Sequence, residues 1–244
     1  MQSDKENFIQ AIKELKKIFD SAGVEYWLSF GTLLGAIREG KFIGWDNDLD
    51  FGARLSEVGK VFSVIPELAK RGWRVDVTDS TVSMSKNNVG VDFAFYRITD
   101  NKAWILFLRG KPRFDFILKY FDRIAERAHY RKFHKGLHSL ESGLYRIIPP
   151  FMDSFLRKLF FGVCYLFGQQ DHAMVLPEES IRKMKKTLFY GMEFFVPNPP
   201  EAYLSLIYGE TWRVPNPKWK WEDVVSMDYE FFKRYKRYEY SLLQ

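Results

Sequence analysis

Cysteine is almost absent. The 244-residue chain has one, Cys164. A single thiol cannot close an internal disulfide or build a cysteine-based zinc cluster, so a stapled mini-protein is excluded and a reducing, cytoplasmic compartment is expected. The start, Met1-Gln2-Ser3-Asp4-Lys5-Glu6-Asn7, lacks both a basic n-region and an apolar h-region, so no secretory signal is expected. Long uncharged apolar runs are also missing. The most lipid-like stretch, 151–167, carries Asp153, Arg157 and Lys158 and falls short of the roughly 20 residues a span needs. It reads as a core or groove-covering helix, or as one lying in a membrane interface, which would give peripheral contact with the inner membrane face. No internal repeat or low-complexity linker stands out.

What is present is apolar material: 46% hydrophobic and 18% aromatic residues, enough for a buried core and against disorder. Residues 6–20 place Phe8, Ile9, Ile12, Leu15, Ile18 and Phe19 at helical spacing, and Gly23 ends that helix. A short strand is expected at 24–28, a helical run at 33–38, a second strand around 48–51 and a helix over 55–70. Strands follow at 73–78, 81–85, 89–98 and 103–108, with Lys86-Asn87-Asn88 as a tight turn. From 113 to 135 the pattern returns to helix, and the tail from Pro197 reads as ordered loops with short helices. Strands first and helices afterwards give an α+β class: a small mixed sheet with flanking helices and a mostly helical C-terminal part. Residues 1–110 are the expected catalytic core and 111–244 an aromatic-rich acceptor-facing, membrane-facing and closing region, and the length leads us to expect one compact unit.

The informative region is 26–52. In a strand, residues two apart point the same way, so Asp48 and Asp50 share a face while Leu49 and Phe51 enter the core. Adjacent anions are unfavourable without a cation, and hard oxygen donors suit Mg²⁺ or Mn²⁺. Asp92 lies opposite the apolar face made by Val89, Val91, Phe93 and Phe95; on a neighbouring strand it would complete a three-carboxylate metal site. Gly31-Thr32, between a strand and a helix, allows a phosphate to approach closely at a helix N-terminus. Together these point to metal-assisted attack on an activated phosphate.

Gly31-Thr32-Leu33-Leu34-Gly35-Ala36-Ile37-Arg38, followed by Phe42-Ile43-Gly44-Trp45-Asp46-Asn47-Asp48-Leu49-Asp50, resembles the signature of the LicD/fukutin family of nucleotidyltransferase-fold phosphotransferases. Asp92 in its Val-Asp-Phe setting is similar to the family's downstream Ile-Asp-hydrophobic strand. Gly191 to Pro197, Tyr203-Leu204 and Tyr208-Gly209-Glu210-Thr211-Trp212 resemble its closing segment. The likeness covers 26–98 and 188–215. Gly44 stands where the family usually has proline, and Asn47 interrupts its aspartate run.

The resemblance implies a nucleotidyltransferase-like core that moves a phospho-alcohol, such as phosphocholine or ribitol phosphate, from a CDP-activated donor to a glycan or glycolipid hydroxyl. CMP leaves and a divalent metal is required, in the service of glycan modification such as lipopolysaccharide or capsule biosynthesis. On that basis Asp48, Asp50 and Asp92 are the expected metal ligands, with Asp92 also taking the acceptor's proton. Gly31 and Thr32 are expected to hold a phosphate and Arg38 the leaving CMP. Trp45, Tyr208 and Trp212 are candidate pocket residues, and Asp46 is taken as a turn residue in preference to a ligand-orienting one. His129, His134 and His138 lack zinc spacing.

Two other classes remain open: transfer of a nucleotide from an NTP to a small hydroxyl compound or RNA, and non-catalytic glycan or membrane binding. The signature run favours neither, and no nucleic-acid partner is expected. The net charge of +6 sits in one place, since residues 102–146 hold eleven Lys or Arg and four Asp or Glu. There Lys119, Arg123, Arg127 and Arg131, spaced by four, form a ridge suited to an anionic acceptor, a lipid headgroup surface or the donor phosphates.

Overall fold

The computed structural model describes residues 2–46, 48–77, 80–109, 159, 170–228 and 231. Helix α1 (Gln2–Ser21) buries its apolar stripe, with Ile12, Leu15 and Phe19 fully enclosed. It stops at Gly23, whose φ of +64° suits glycine and turns the chain into β1 (Tyr26–Leu28). Helix α2 (Phe30–Arg38) follows, then β2 (Asp48–Arg54) and, after a short 3-10 turn, α3 (Val58–Lys70). Strands β3 (Arg74–Val77), β4 (Thr81–Lys86), β5 (Val89–Thr99) and β6 (Lys102–Arg109) come next.

These strands belong to one ten-stranded mixed sheet. Strand β5 is its pivot. One edge pairs in parallel with β2, placing Asp50 opposite Asp92, and the other pairs antiparallel with β4 and then β6. The β4–β5 and β5–β6 connections are two-residue turns, Asn87-Asn88 and Asp100-Asn101, with positive φ at all four residues. Asparagine and aspartate tolerate that conformation, which matches the twist of paired strands.

The expectation of a mostly helical C-terminal part needs correction for residues 170–228. They supply β7 (Gln170–Pro177), β8 (Met184–Phe189), β9 (Met192–Pro197) and β10 (Met227–Asp228), with α4 (Glu179–Arg182) and α5 (Pro200–Tyr208) between them. Strand β7 pairs with β6, and β9 runs parallel to β1, so this segment is built into the same sheet. In β7, His172, Ala173, Met174 and Leu176 are all buried, which erases the alternation that marks a half-exposed strand. The helix expected at 113–135 with its basic ridge, His129, His134, His138 and the stretch 151–167 (Leu159 apart) lie outside the described residues. Among the described residues, no helix is long and apolar enough to cross a membrane.

The two faces of the sheet have different work. Leu49 and Phe51 of β2 and Val91 and Phe93 of β5 point into the core, where the Phe19 ring lies 5.1 Å from that of Phe93. Burying an aromatic of that size contributes about 1.5–3 kcal/mol. The opposite face carries Asp48, Asp50, Asp92 and Tyr96, and α2 and α5 pack near it.

Candidate active site

The site begins with the junction of β1 and α2. Ser29 donates its backbone N–H to the Asp50 carbonyl (3.0 Å), and its own carbonyl receives the Leu33 N–H (2.8 Å), which starts the helix. Between them Phe30 adopts φ +37°, a left-handed conformation that costs a bulky residue about 1–3 kcal/mol. Asp50 and Thr32 then exchange two bonds. The Asp50 N–H donates to Thr32 Oγ1 (2.8 Å), and the Thr32 N–H donates to Asp50 Oδ2 (3.3 Å). The Thr32 hydroxyl, expected at a phosphate, is buried and braces the aspartate strand.

Carboxylate oxygens of Asp46, Asp48 and Asp50 lie within 4.8 Å of one another. Asp46, read from sequence as a turn residue, therefore stands inside the cluster. Gly31 makes room for it: a Cβ there would fall 2.0 Å from Asp46 Oδ2 and 3.2 Å from Asp50 Oδ2. Burial raises the Asp50 carboxyl well above the usual range, and the charges of Asp48, Asp46 and Asp92 push it further; the Thr32 N–H pulls it back only in part. Three hard oxygen donors, with one carboxylate held in place at an electrostatic cost, suit a divalent cation.

Asp92 stands beside this set. Paired in register with Asp50, it accepts a 2.6 Å hydrogen bond from Ser83 Oγ on β4. Burial raises its pKa, the Ser83 bond lowers it and the Asp48 charge raises it, with a net upward shift.

A cleft of about 290 Å³ opens over the carboxylates. Gly31, Arg38, Trp45, Tyr208 and Trp212 all line it, as do Phe30, Trp219, Lys220 and Trp221. Arg38 is mostly buried and paired with Glu39 (2.7 Å), donates to the Trp212 carbonyl (3.3 Å) and lies 5.9 Å from the Trp45 ring centroid. Trp212 itself is buried, whereas Trp45 is 45% exposed at the rim. Phe30, Trp219 and Trp221 were not singled out from sequence. Phe30 packs edge-on against Trp221 (5.0 Å), Trp221 on Trp219 (5.4 Å) and Trp219 on Tyr208 (4.7 Å). The only sequence signal for Trp219 and Trp221 was the aromatic density of the tail, and Phe30 had none.

A family profile described as LicD/FKTN/FKRP, nucleotidyltransferase domain, matches residues 23–135, a span containing every aspartate above. Residues 23–135 are thus similar to a LicD/FKTN/FKRP nucleotidyltransferase domain. Ribitol 5-phosphate transferase FKRP of Mus musculus, and likewise that of Homo sapiens, is 44% identical over 55 residues, covering 21% of this chain and 11% of those proteins. The chain thus spans about a tenth of the FKRP proteins it matches. An uncharacterized protein of Rickettsia typhi, RT0683, is 26% identical over 98 residues, covering 40% of this chain and 31% of that one. Among solved structures, the antibiotic-resistance factor ANT(2″)-Ia aligns with a TM-score of 0.34 and 14% identity, over 66% of this chain and 95% of its own. The LicD/FKTN/FKRP match brings the aspartates of β2 and β5 under one profile, and the residues between Tyr208 and Trp221 that complete the cleft lie beyond it.

Proposed function

We propose that this protein is a metal-dependent phosphotransferase that moves a phospho-alcohol, of the phosphocholine or polyol-phosphate kind, from a CDP-activated donor to a glycan or glycolipid hydroxyl. The observation that carries this reading is the carboxylate cluster at the floor of an aromatic cleft, within a domain of a family that includes a ribitol 5-phosphate transferase. Asp48 and Asp50, joined by Asp46, would hold Mg²⁺ or Mn²⁺, with Asp92 alongside. A divalent ion there supplies neutralisation of phosphate charge.

The chain's own residues do the rest. Asp92, more basic than an ordinary carboxylate, takes the proton of the acceptor hydroxyl as its oxygen attacks phosphorus. The bond from that phosphorus to the CMP oxygen breaks, and CMP departs beside Arg38, whose position between Trp45 and the Trp212 carbonyl is fixed by its hydrogen bonds. Gly31 keeps the carboxylate corner open, and Tyr208, Trp212 and Trp45 line the donor's pocket. Residues 1–110 form the catalytic core, and 111–244 the closing and acceptor-facing region. In this reading the positive charge of Lys119, Arg123, Arg127 and Arg131 serves the anionic acceptor.

Incubation with a panel of CDP-alcohols, nucleoside triphosphates and Mg²⁺, read by mass spectrometry, tests the reading. CMP release with phospho-alcohol transfer is expected. Pyrophosphate release from a triphosphate would replace it with nucleotidyl transfer, and no turnover with any donor would leave a binding module.

A further inference from the structure

Ser29 is the residue before α2, the position from which a serine hydroxyl ordinarily accepts a hydrogen bond from the N–H two or three residues on. Here it makes no such bond. Its hydroxyl lies instead 2.6 Å from the hydroxyl of Tyr203 on α5, which lies 2.6 Å from that of Tyr96 on β5. All three residues are fully buried. Burial drives both tyrosines upward, so their hydroxyls stay neutral, and Tyr203 can donate to one neighbour while accepting from the other. The N–H that a capping Ser29 would have taken, that of Thr32, goes to Asp50 Oδ2 (3.3 Å). A carboxylate of the metal cluster has the cap's place.

We propose that Tyr203 is a positioning residue: it draws the Ser29 hydroxyl away from the start of α2, leaving the Thr32 N–H to orient Asp50 for cation binding. The inference rests on the reading of the aspartate cluster as a metal site. Tyr203 acts at a distance, through Ser29, and touches neither cation nor substrate. Its helix also carries Tyr208 into the cleft, so the same contact ties the aromatic wall to the aspartate floor. When Tyr203 loses its hydroxyl, Ser29 keeps only the Tyr96 hydroxyl as a neighbour and turns to compete for the Thr32 N–H, and Asp50 loses its tether.

The test is Mn²⁺ affinity, measured by electron paramagnetic resonance on the full chain, for wild type, Tyr203→Phe, Ser29→Ala and the double variant. Groups that orient metal ligands typically alter metal affinity 10–100-fold, so Tyr203→Phe should bind Mn²⁺ at least tenfold more weakly. Ser29→Ala should stay within threefold of wild type, because Asp50 keeps its donor. The double variant should recover most of the loss, since the competing hydroxyl is gone. A merely structural contact gives the opposite, a double variant as weak as Tyr203→Phe or weaker. That result, or an unchanged Tyr203→Phe, overturns the proposal. If Tyr203→Phe fails to fold, a tenfold loss in Ser29→Ala alone overturns it, and wild-type affinity there supports it. Absence of Mn²⁺ binding by the wild type would instead refute the metal site itself, a separately readable failure.

Discussion

Asp50→Asn in the metal-free protein isolates the cost of assembling the aspartate cluster. Its oxygen lies within 4.8 Å of oxygens on Asp46 and Asp48. At an effective dielectric constant near 20, each ionised pair at that separation repels by about 3 kcal/mol. The folded protein escapes part of this by holding a proton on Asp50. Asparagine keeps the shape and the acceptor for the Thr32 N–H while removing the charge, so it should stabilise the metal-free protein by about 2 kcal/mol at pH 8. That corresponds to roughly 4–8 °C in Tm for a chain of this size.

The sign with pH is fixed by linkage. The folded-state value of Asp50 is raised, so between the ordinary carboxylate value and the raised one the native state binds more protons than the unfolded state. Stability therefore falls as pH rises through that window. Below about pH 4 both states are protonated, and the advantage of the asparagine should vanish. Thermal scans in EDTA from pH 4 to 8 measure this directly. A variant that is less stable than wild type at pH 8, or an advantage that does not shrink on acidification, would refute the claim that Asp50 is held against its neighbours' charge.

Other perturbations separate the site from the scaffold. Mg²⁺ at a hundred times its dissociation constant should add about 2.7 kcal/mol, or roughly 5–11 °C in Tm, reversed by EDTA and absent in Asp48→Asn. A Tm indifferent to Mg²⁺ in the wild type counts against the cluster as its site. Gly31→Ala places a methyl against Asp46, so it should weaken Mn²⁺ binding at least tenfold, as read by titration calorimetry. Undiminished affinity removes Asp46 from the ligand set. Gly52→Ala drives a methyl into the Trp27 indole, 2.5 Å from its nitrogen, and should cost about 1–3 kcal/mol in urea unfolding. Mn²⁺ affinity per folded molecule should not change.

Much of the floor of the site was legible because period-two alternation decides it. Leu49 and Phe51 had to enter the core, which turned Asp48 and Asp50 outward together, and the same rule placed Asp92 on that face of β5. Lys86-Asn87-Asn88 gave the turn between β4 and β5. What stayed hidden depended on partners distant in the chain. Asp46 precedes the strand, where no alternation assigns a direction, and only the vacant side of Gly31 brings its carboxylate to Asp50. Thr32 read as a phosphate contact because strand–Gly–Thr–helix is a phosphate-binding pattern; that its oxygen receives the Asp50 N–H requires β2 to lie against α2.

The same reasoning explains why the cap at Ser29 was invisible. A serine before a helix is locally sufficient to bond that helix, and every residue in the run Ser29-Phe30-Gly31-Thr32 agrees with it. The competing partner, Tyr203, is 174 positions away. Local rules hold until a buried group offers a better-placed bond. Here the exchange gives a helix-start N–H to a carboxylate that must face other carboxylates. A charge-assisted bond orients such a group and offsets part of the repulsion it meets. The departure from the local rule therefore falls at the one place in the described chain where anions are forced together, and a strained Phe30 beside it is held by the same bonds.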